Sequence, residues 1–128
     1  MSPDLKYLLY SVILTFIQML VAALAADRQL GLKALAGNRE GLPELIGFAG
    51  RARRAHANMI ENMVLFAALV LIAAVAGKAN TTTALGALIF FWGRVAHAII
   101  YWIGIPRLRT LAWLVSVVGM IVIATQLF

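Results

Sequence analysis

The sequence has no cysteine, only five acidic residues among its 128, and only 12% charged residues in all. Without cysteine no disulfide can form, and the chain supplies neither a thiol nucleophile nor a thiolate metal ligand. Any sulfur chemistry must therefore use the thiol of a cosubstrate, and no metal site is expected. The shortage of charge, set against 63% hydrophobic residues, excludes an ordinary soluble domain and indicates a membrane protein. Acid is missing altogether from the first apolar run, residues 7–26. That removes the membrane-embedded carboxylate on which a small multidrug transporter of similar length depends. The formal charge of +6 does not point to nucleic acid, because the lysines and arginines sit at the ends of apolar runs and form no soluble basic face.

What is present is four apolar runs: residues 7–26, 62–77, 79–105 with Arg94 interrupting, and 110–128. A hydrocarbon core of roughly 30 Å needs about 20 helical residues, so each run spans once its flanks are included. Runs of this length without period-2 alternation are helices and not barrel strands, since lipid obliges the backbone to satisfy its own hydrogen bonds. The expected fold is an all-α membrane protein, a single domain over residues 1–128 built as a four-helix transmembrane bundle. The "ALAA" of residues 23–26 resembles a signal-peptidase site, but the run before it is longer than a signal core and reads as a retained first span.

Four spans place both termini and the second loop on one side of the membrane, with the first and third loops on the other. The first side carries Lys6 and Lys78, the second Arg28, Lys33, Arg39, Arg51, Arg53, Arg54, Arg107 and Arg109. Eight against two puts those two loops in the cytoplasm and both termini outside. Lys33, Arg39 and Arg53 are assigned to topology and to membrane-lipid headgroups alone. The first helix is expected over residues 4–36, leaving the bilayer near Asp27. The turn lies in "AGNREGLPE", where Gly37, Asn38, Gly41 and Pro43 give a stop and a restart. The second helix starts near Pro43, enters the membrane near His56 and ends at the Gly77 turn; the third covers residues 81–104, and Pro106 opens the fourth.

The stretch "GRARRAHANMIENMVLF" puts a glutamate inside an apolar run. At 100° per residue from Arg54, Asn58 falls at about 40°, Glu61 at about 340° and Arg51 at about 60°, one polar stripe descending into the membrane. An intramembrane carboxylate costs on the order of 3 kcal/mol, so Glu61 should meet a partner or a wet cavity. On the third helix "GRVAHAIIY" places Arg94, His97 and Tyr101 at about 0°, 300° and 340°, a second stripe at the same end. A buried Glu61–Arg94 ion pair would tie the two helices together. It does not account for Asn58, His97, Tyr101 and Arg54 at one depth, which suit a pocket for a small zwitterion carrying carboxylates and an amine. His56 lies about 200° from Arg54, so it is either an interfacial histidine or, if this helix lines an oligomer axis, a residue serving the neighbouring subunit's pocket.

"RAHANMIEN", residues 54–62, and "GRVAHAIIY", residues 93–101, closely resemble the signatures of the MAPEG family, membrane-associated proteins in eicosanoid and glutathione metabolism. The first is most similar to that of microsomal glutathione transferase and the second to that of microsomal prostaglandin E synthase. The resemblance covers nearly the whole chain. It implies a homotrimer of four-helix subunits with the cosubstrate glutathione between adjacent subunits near the cytoplasmic face. Arg54, Asn58 and Glu61 match positions that hold glutathione's backbone and charged ends, and His56 one reached from the neighbour. His97 and Tyr101 line the same pocket, with Arg94 packed behind. In "PRLRTLAW" the arginine that stabilises the thiolate is best matched by Arg109, with Arg107 the alternative because the turn is about a residue shorter. Arg28 is the candidate for the first-helix arginine that reaches the neighbour's glutathione. Asn62 and His97 stand where the leukotriene synthases carry tyrosines, so that specificity is not supported.

The reading is a glutathione-dependent membrane enzyme, a transferase or peroxidase acting on lipophilic small-molecule electrophiles or hydroperoxides that arrive from the bilayer. A thiol like that of free cysteine is only a few per cent ionised at neutral pH, and a guanidinium beside it in a partly desolvated site makes most of it reactive. The alternative is a non-catalytic membrane protein that binds glutathione or a lipid without turnover. Short loops fit a bacterial inner membrane.

Overall fold

A computed structural model describes residues 1–128. There are five helices: α1 (Pro3–Leu30), the short α2 (Leu32–Ala36), α3 (Gly47–Val75), α4 (Thr81–Ile103) and α5 (Pro106–Thr125). Of these, α1, α3, α4 and α5 are long and apolar enough to cross a membrane, so the protein is an integral multi-pass membrane protein. The chain threads them in alternating directions, which gathers the loops of residues 31–46 and 104–105 at one end and the termini with the Lys78 turn at the other. The loop end is the basic end.

Local chemistry sets the boundaries. Ser2 caps α1 by accepting from the Leu5 amide, Pro3 needs no amide partner in the first turn, and Asp4 complements the helix dipole there. Asn80 opens α4 with a capping box, its side chain accepting from the amides of Thr82 and Thr83 while Thr83 Oγ1 accepts from the Asn80 amide. Lys78 Nζ and Asn80 Nδ2 also donate to Leu127 O and Gln126 Oε1, tying this turn to the end of α5. Gly104 ends α4 in the left-handed region at φ 94°, and Pro106 is the first residue of α5.

Two expected boundaries differ. The first helix does not run unbroken to Ala36: Gly31, at φ 86° and ψ 149°, separates α1 from α2 in a conformation that glycine alone adopts without strain. The next helix starts at Gly47 and not near Pro43. Residues 43–46 are held non-helical by the Gln29 amide, whose Nε2 donates to Glu44 O at 2.9 Å while its Oε1 accepts from the Ile46 amide at 3.0 Å. That clamp pins the incoming chain to the last turn of α1.

Within the bundle α3 and α4 each pack against the other and against α1 and α5, while the α1 and α5 backbones do not approach one another. The α4–α5 seam is the closest. A Cβ on Gly119 would lie 2.6 Å from Gly86 O, and one on Gly93 would lie 2.9 Å from the Ser116 amide, so small residues bring the two backbones together as lipid-embedded helices require. Beside it Phe66 and Phe90 stack with ring centroids 3.8 Å apart among Val70, Ala87, Met120 and Ile123. Apolar side chains such as Val12, Phe16, Leu24, Val64 and Val118 point outward, and polar ones such as Ser11, Gln18, Arg94 and Ser116 point in. That inversion suits a hydrocarbon solvent.

Candidate functional site

The polar residues expected on the middle helices do converge, at the basic end, into a chain that crosses three helices. Arg94 on α4 is fully buried, and its guanidinium reaches across to α3. Nη2 donates to Asn58 Oδ1 at 2.8 Å and lies 3.3 Å from His97 Nδ1, while Nε points at the Met59 sulfur at 3.3 Å. A guanidinium only donates, so His97 Nδ1 is the acceptor and the ring proton sits on Nε2. Asn58 is steadied by Asn62, whose Nδ2 donates to the Asn58 carbonyl at 2.8 Å and to its Oδ1 at 3.3 Å. His97 meets the Tyr101 ring edge to face at 5.5 Å, and the Arg109 guanidinium from α5 lies 4.5 Å from the centre of that same ring. Asn62, Asn58, Arg94, His97, Tyr101 and Arg109 therefore form one connected set.

Sequence periodicity put Arg51, Arg54, Asn58 and Glu61 on one stripe, and the structure divides it. Asn58 turns inward. Arg54 and Glu61 are both exposed, Glu61 beside the outward-facing Ile60, Val64 and Leu65. The Glu61–Arg94 ion pair is not made: three donor nitrogens of Arg94 are accounted for by Asn58, His97 and Met59 or left free, and none meets Glu61. Arg51 instead donates from Nε to the Trp102 carbonyl at 3.1 Å and packs over Gly104, satisfying an orphan acceptor at the C-terminus of α4. It thereby fixes the turn that carries Arg107 and Arg109.

His56 looks elsewhere. It lines a cleft of about 760 Å³ between α1, residues 39–45 and the start of α3, together with Arg39, Arg53 and Arg54, against a wall of Ala22, Ala23 and Ala26. Arg54 and His56 share this cleft despite their separation on the helical wheel because residues 39–45 wrap the facing side. Gly50 makes room for it: a Cβ there would lie 2.7 Å from the Leu45 carbonyl and 3.1 Å from Arg54 Nη1. Arg107 is exposed in the first turn of α5, and Arg28 is exposed in the last turn of α1 outside the cleft wall. No three histidine, aspartate or glutamate side chains gather as metal ligands.

Three participants were not singled out from sequence. Asn62 figured only as a departure from a tyrosine, yet it holds Asn58. Gln29 builds the cleft wall through its backbone clamp. Gln18 is fully buried inside the first apolar run, and its signal was the heptad spacing of Asp4, Ser11 and Gln18, the buried polar residues of α1.

The family model of the MAPEG family matches residues 7–128, nearly the whole chain. No curated protein matches the sequence.

Proposed function

Because the chain belongs to the MAPEG family, we propose that it is a glutathione-dependent membrane enzyme, a transferase or peroxidase acting on lipophilic electrophiles or hydroperoxides. The observation that carries the reading is the connected set from Asn58 to Arg109, with two exposed charges of opposite sign, Arg54 and Glu61, each about one turn from Asn58 along α3. Glutathione has two carboxylates, one ammonium and a thiol. Arg54 suits a carboxylate, Glu61 the ammonium, and Asn58 the peptide backbone. Glutathione supplies the nucleophilic thiolate, and the protein's part is to hold that charge. Arg109 sits in the first turn of α5, where the helix also directs unpaired amides and the positive end of its dipole toward an anion. With its face against Tyr101, Arg109 is held in place before the ligand arrives.

The assembly we propose is a homotrimer. Glu61 lies midway along α3, 14 residues from Gly47 and 14 from Val75, and its side chain is exposed. A carboxylate facing lipid at that depth costs about 3 kcal/mol, so the outward face of α3 belongs against another subunit. His56, in the cleft that Arg54 also lines, then serves the neighbour's site, with Arg28 or Arg107 as further basic contacts. The eight-to-two charge bias favours the basic end in the cytoplasm with both termini outside, and the short loops suit an inner membrane of bacterial type. The test is glutathione titration of the detergent-solubilised protein, followed by thiolate ultraviolet absorbance and by turnover of a generic electrophile. Binding with a thiolate signal and turnover supports the enzyme; binding without either makes the protein a non-catalytic glutathione binder.

A further inference from the structure

Arg94 and Gln18 are both fully buried in membrane-spanning helices, and both carry polar atoms with no partner: Arg94 Nη1, and Gln18 Nε2 and Oε1. Buried polar atoms in a nonpolar surrounding are rarely left so, because each carries a desolvation penalty that lipid does nothing to relieve. Two independent markers put the groups at one depth. Helices α1 and α4 run the same way, and the Tyr7 and Tyr10 rings each lie 5.8 Å from Phe91. Gln18 is eight residues beyond Tyr10, roughly 12 Å further along at 1.5 Å per residue, which levels its backbone with the last turns of α4. Helical side chains lean toward their own N-terminus, bringing the Gln18 amide back toward the level of His97. The Arg94 guanidinium reaches that level from the other direction, since it contacts His97 one turn on. Met19, next to Gln18 on α1, shares the cleft with His56 of α3, two residues from Asn58. Laterally the choice is as narrow: α1 packs only on α3, α4 and the short α2, so the buried Gln18 side chain is enclosed by the same two helices that enclose the guanidinium.

We infer that Gln18 and Arg94 enclose an internal water site, and that Gln18 is through it a positioning residue for the Asn58–Arg94–His97 cluster. One water accepts from Arg94 Nη1 and from Gln18 Nε2 and donates to Gln18 Oε1. Three hydrogen bonds is the usual complement of a buried water. The bridge fixes the rotation of the guanidinium, whose Nη2 then serves Asn58 and His97. Nothing in this depends on what the site binds.

The experiment uses the full-length protein in detergent with Gln18→Glu, Gln18→Leu, Arg94→Met and the two double variants. A carboxylate at position 18 can meet the lone guanidinium, so Gln18→Glu should be tolerated with Arg94 present and should sharply lower the melting temperature in the Arg94→Met background. The expected non-additivity is about 4 °C or more. Gln18→Glu that is as damaging with Arg94 as without it overturns the inference. Should Arg94→Met fail to fold, the ¹⁵N resonance of His97 Nδ1 decides. It should move in Gln18→Leu, where the guanidinium loses its anchor, and return toward the wild-type position in Gln18→Glu. A His97 resonance unchanged by Gln18→Leu overturns it equally.

Discussion

Glu61→Gln separates two accounts of the same carboxylate by the sign and size of its effect on folding. Glu61 is exposed on α3, and Arg94 is hydrogen-bonded without it, so the substitution strands no buried charge. Removing one partner of a buried ion pair costs about 3 to 5 kcal/mol. Changing an exposed residue costs within about 0.5 kcal/mol, and loss of a charge near the middle of a membrane helix works in the stabilising direction. The glutathione-free variant should therefore unfold in detergent at or slightly above the wild-type temperature. Binding should respond in the opposite way. A lost charge-assisted contact to an ammonium is worth roughly 1.5 to 3 kcal/mol, a dissociation constant raised about 10- to 150-fold by calorimetry. Unfolding weakened by several kcal/mol with unchanged glutathione affinity would mean that Glu61 is a structural partner after all.

The α4–α5 seam predicts that Gly119→Val destabilises by about 1 to 3 kcal/mol, read from thermal unfolding, because its Cβ would meet the Gly86 carbonyl at 2.6 Å and backbone cannot yield as a side chain does. A neutral result would mean the helices sit further apart than this geometry. Mass measurement in detergent should give a trimer, and a monomer with full glutathione affinity would remove the shared site. Reporter fusions at the C-terminus should be active only outside the cytoplasm; cytoplasmic activity would reverse the orientation.

How much of this was legible in sequence follows from what each kind of signal encodes. Hydropathy and the punctuation of Gly77, Gly104 and Pro106 located the four spans, because length and backbone conformation are local properties. The 3.6-residue period also brought Arg94, His97 and Tyr101 onto one face, where they are found. It could not say which side of α3 looks inward. Asn58 and Glu61 differ by only about 60° on the wheel, and that small angle separates a half-buried residue of the cluster from an exposed one. The non-helical segment before Gly47 was missed since it depends on Gln29, a contact between residues 15 and 17 apart in the chain. Gln18 was passed over inside an apolar run, where its meaning rests on burial between α3 and α4.

The central claim is that Arg109 holds the charge of a bound thiolate, and Arg109→Leu tests it most directly. Its energy should be felt mainly by the ionised sulfur, so glutathione affinity should persist while the rate falls. The measurement is thiolate ultraviolet absorbance across a pH series with glutathione saturating. The account predicts that the pH at which bound thiolate appears rises by about 1 to 3 pH units in Arg109→Leu relative to wild type. An identical thiolate profile in the two proteins would contradict it and pass the role to Arg107 or Tyr101.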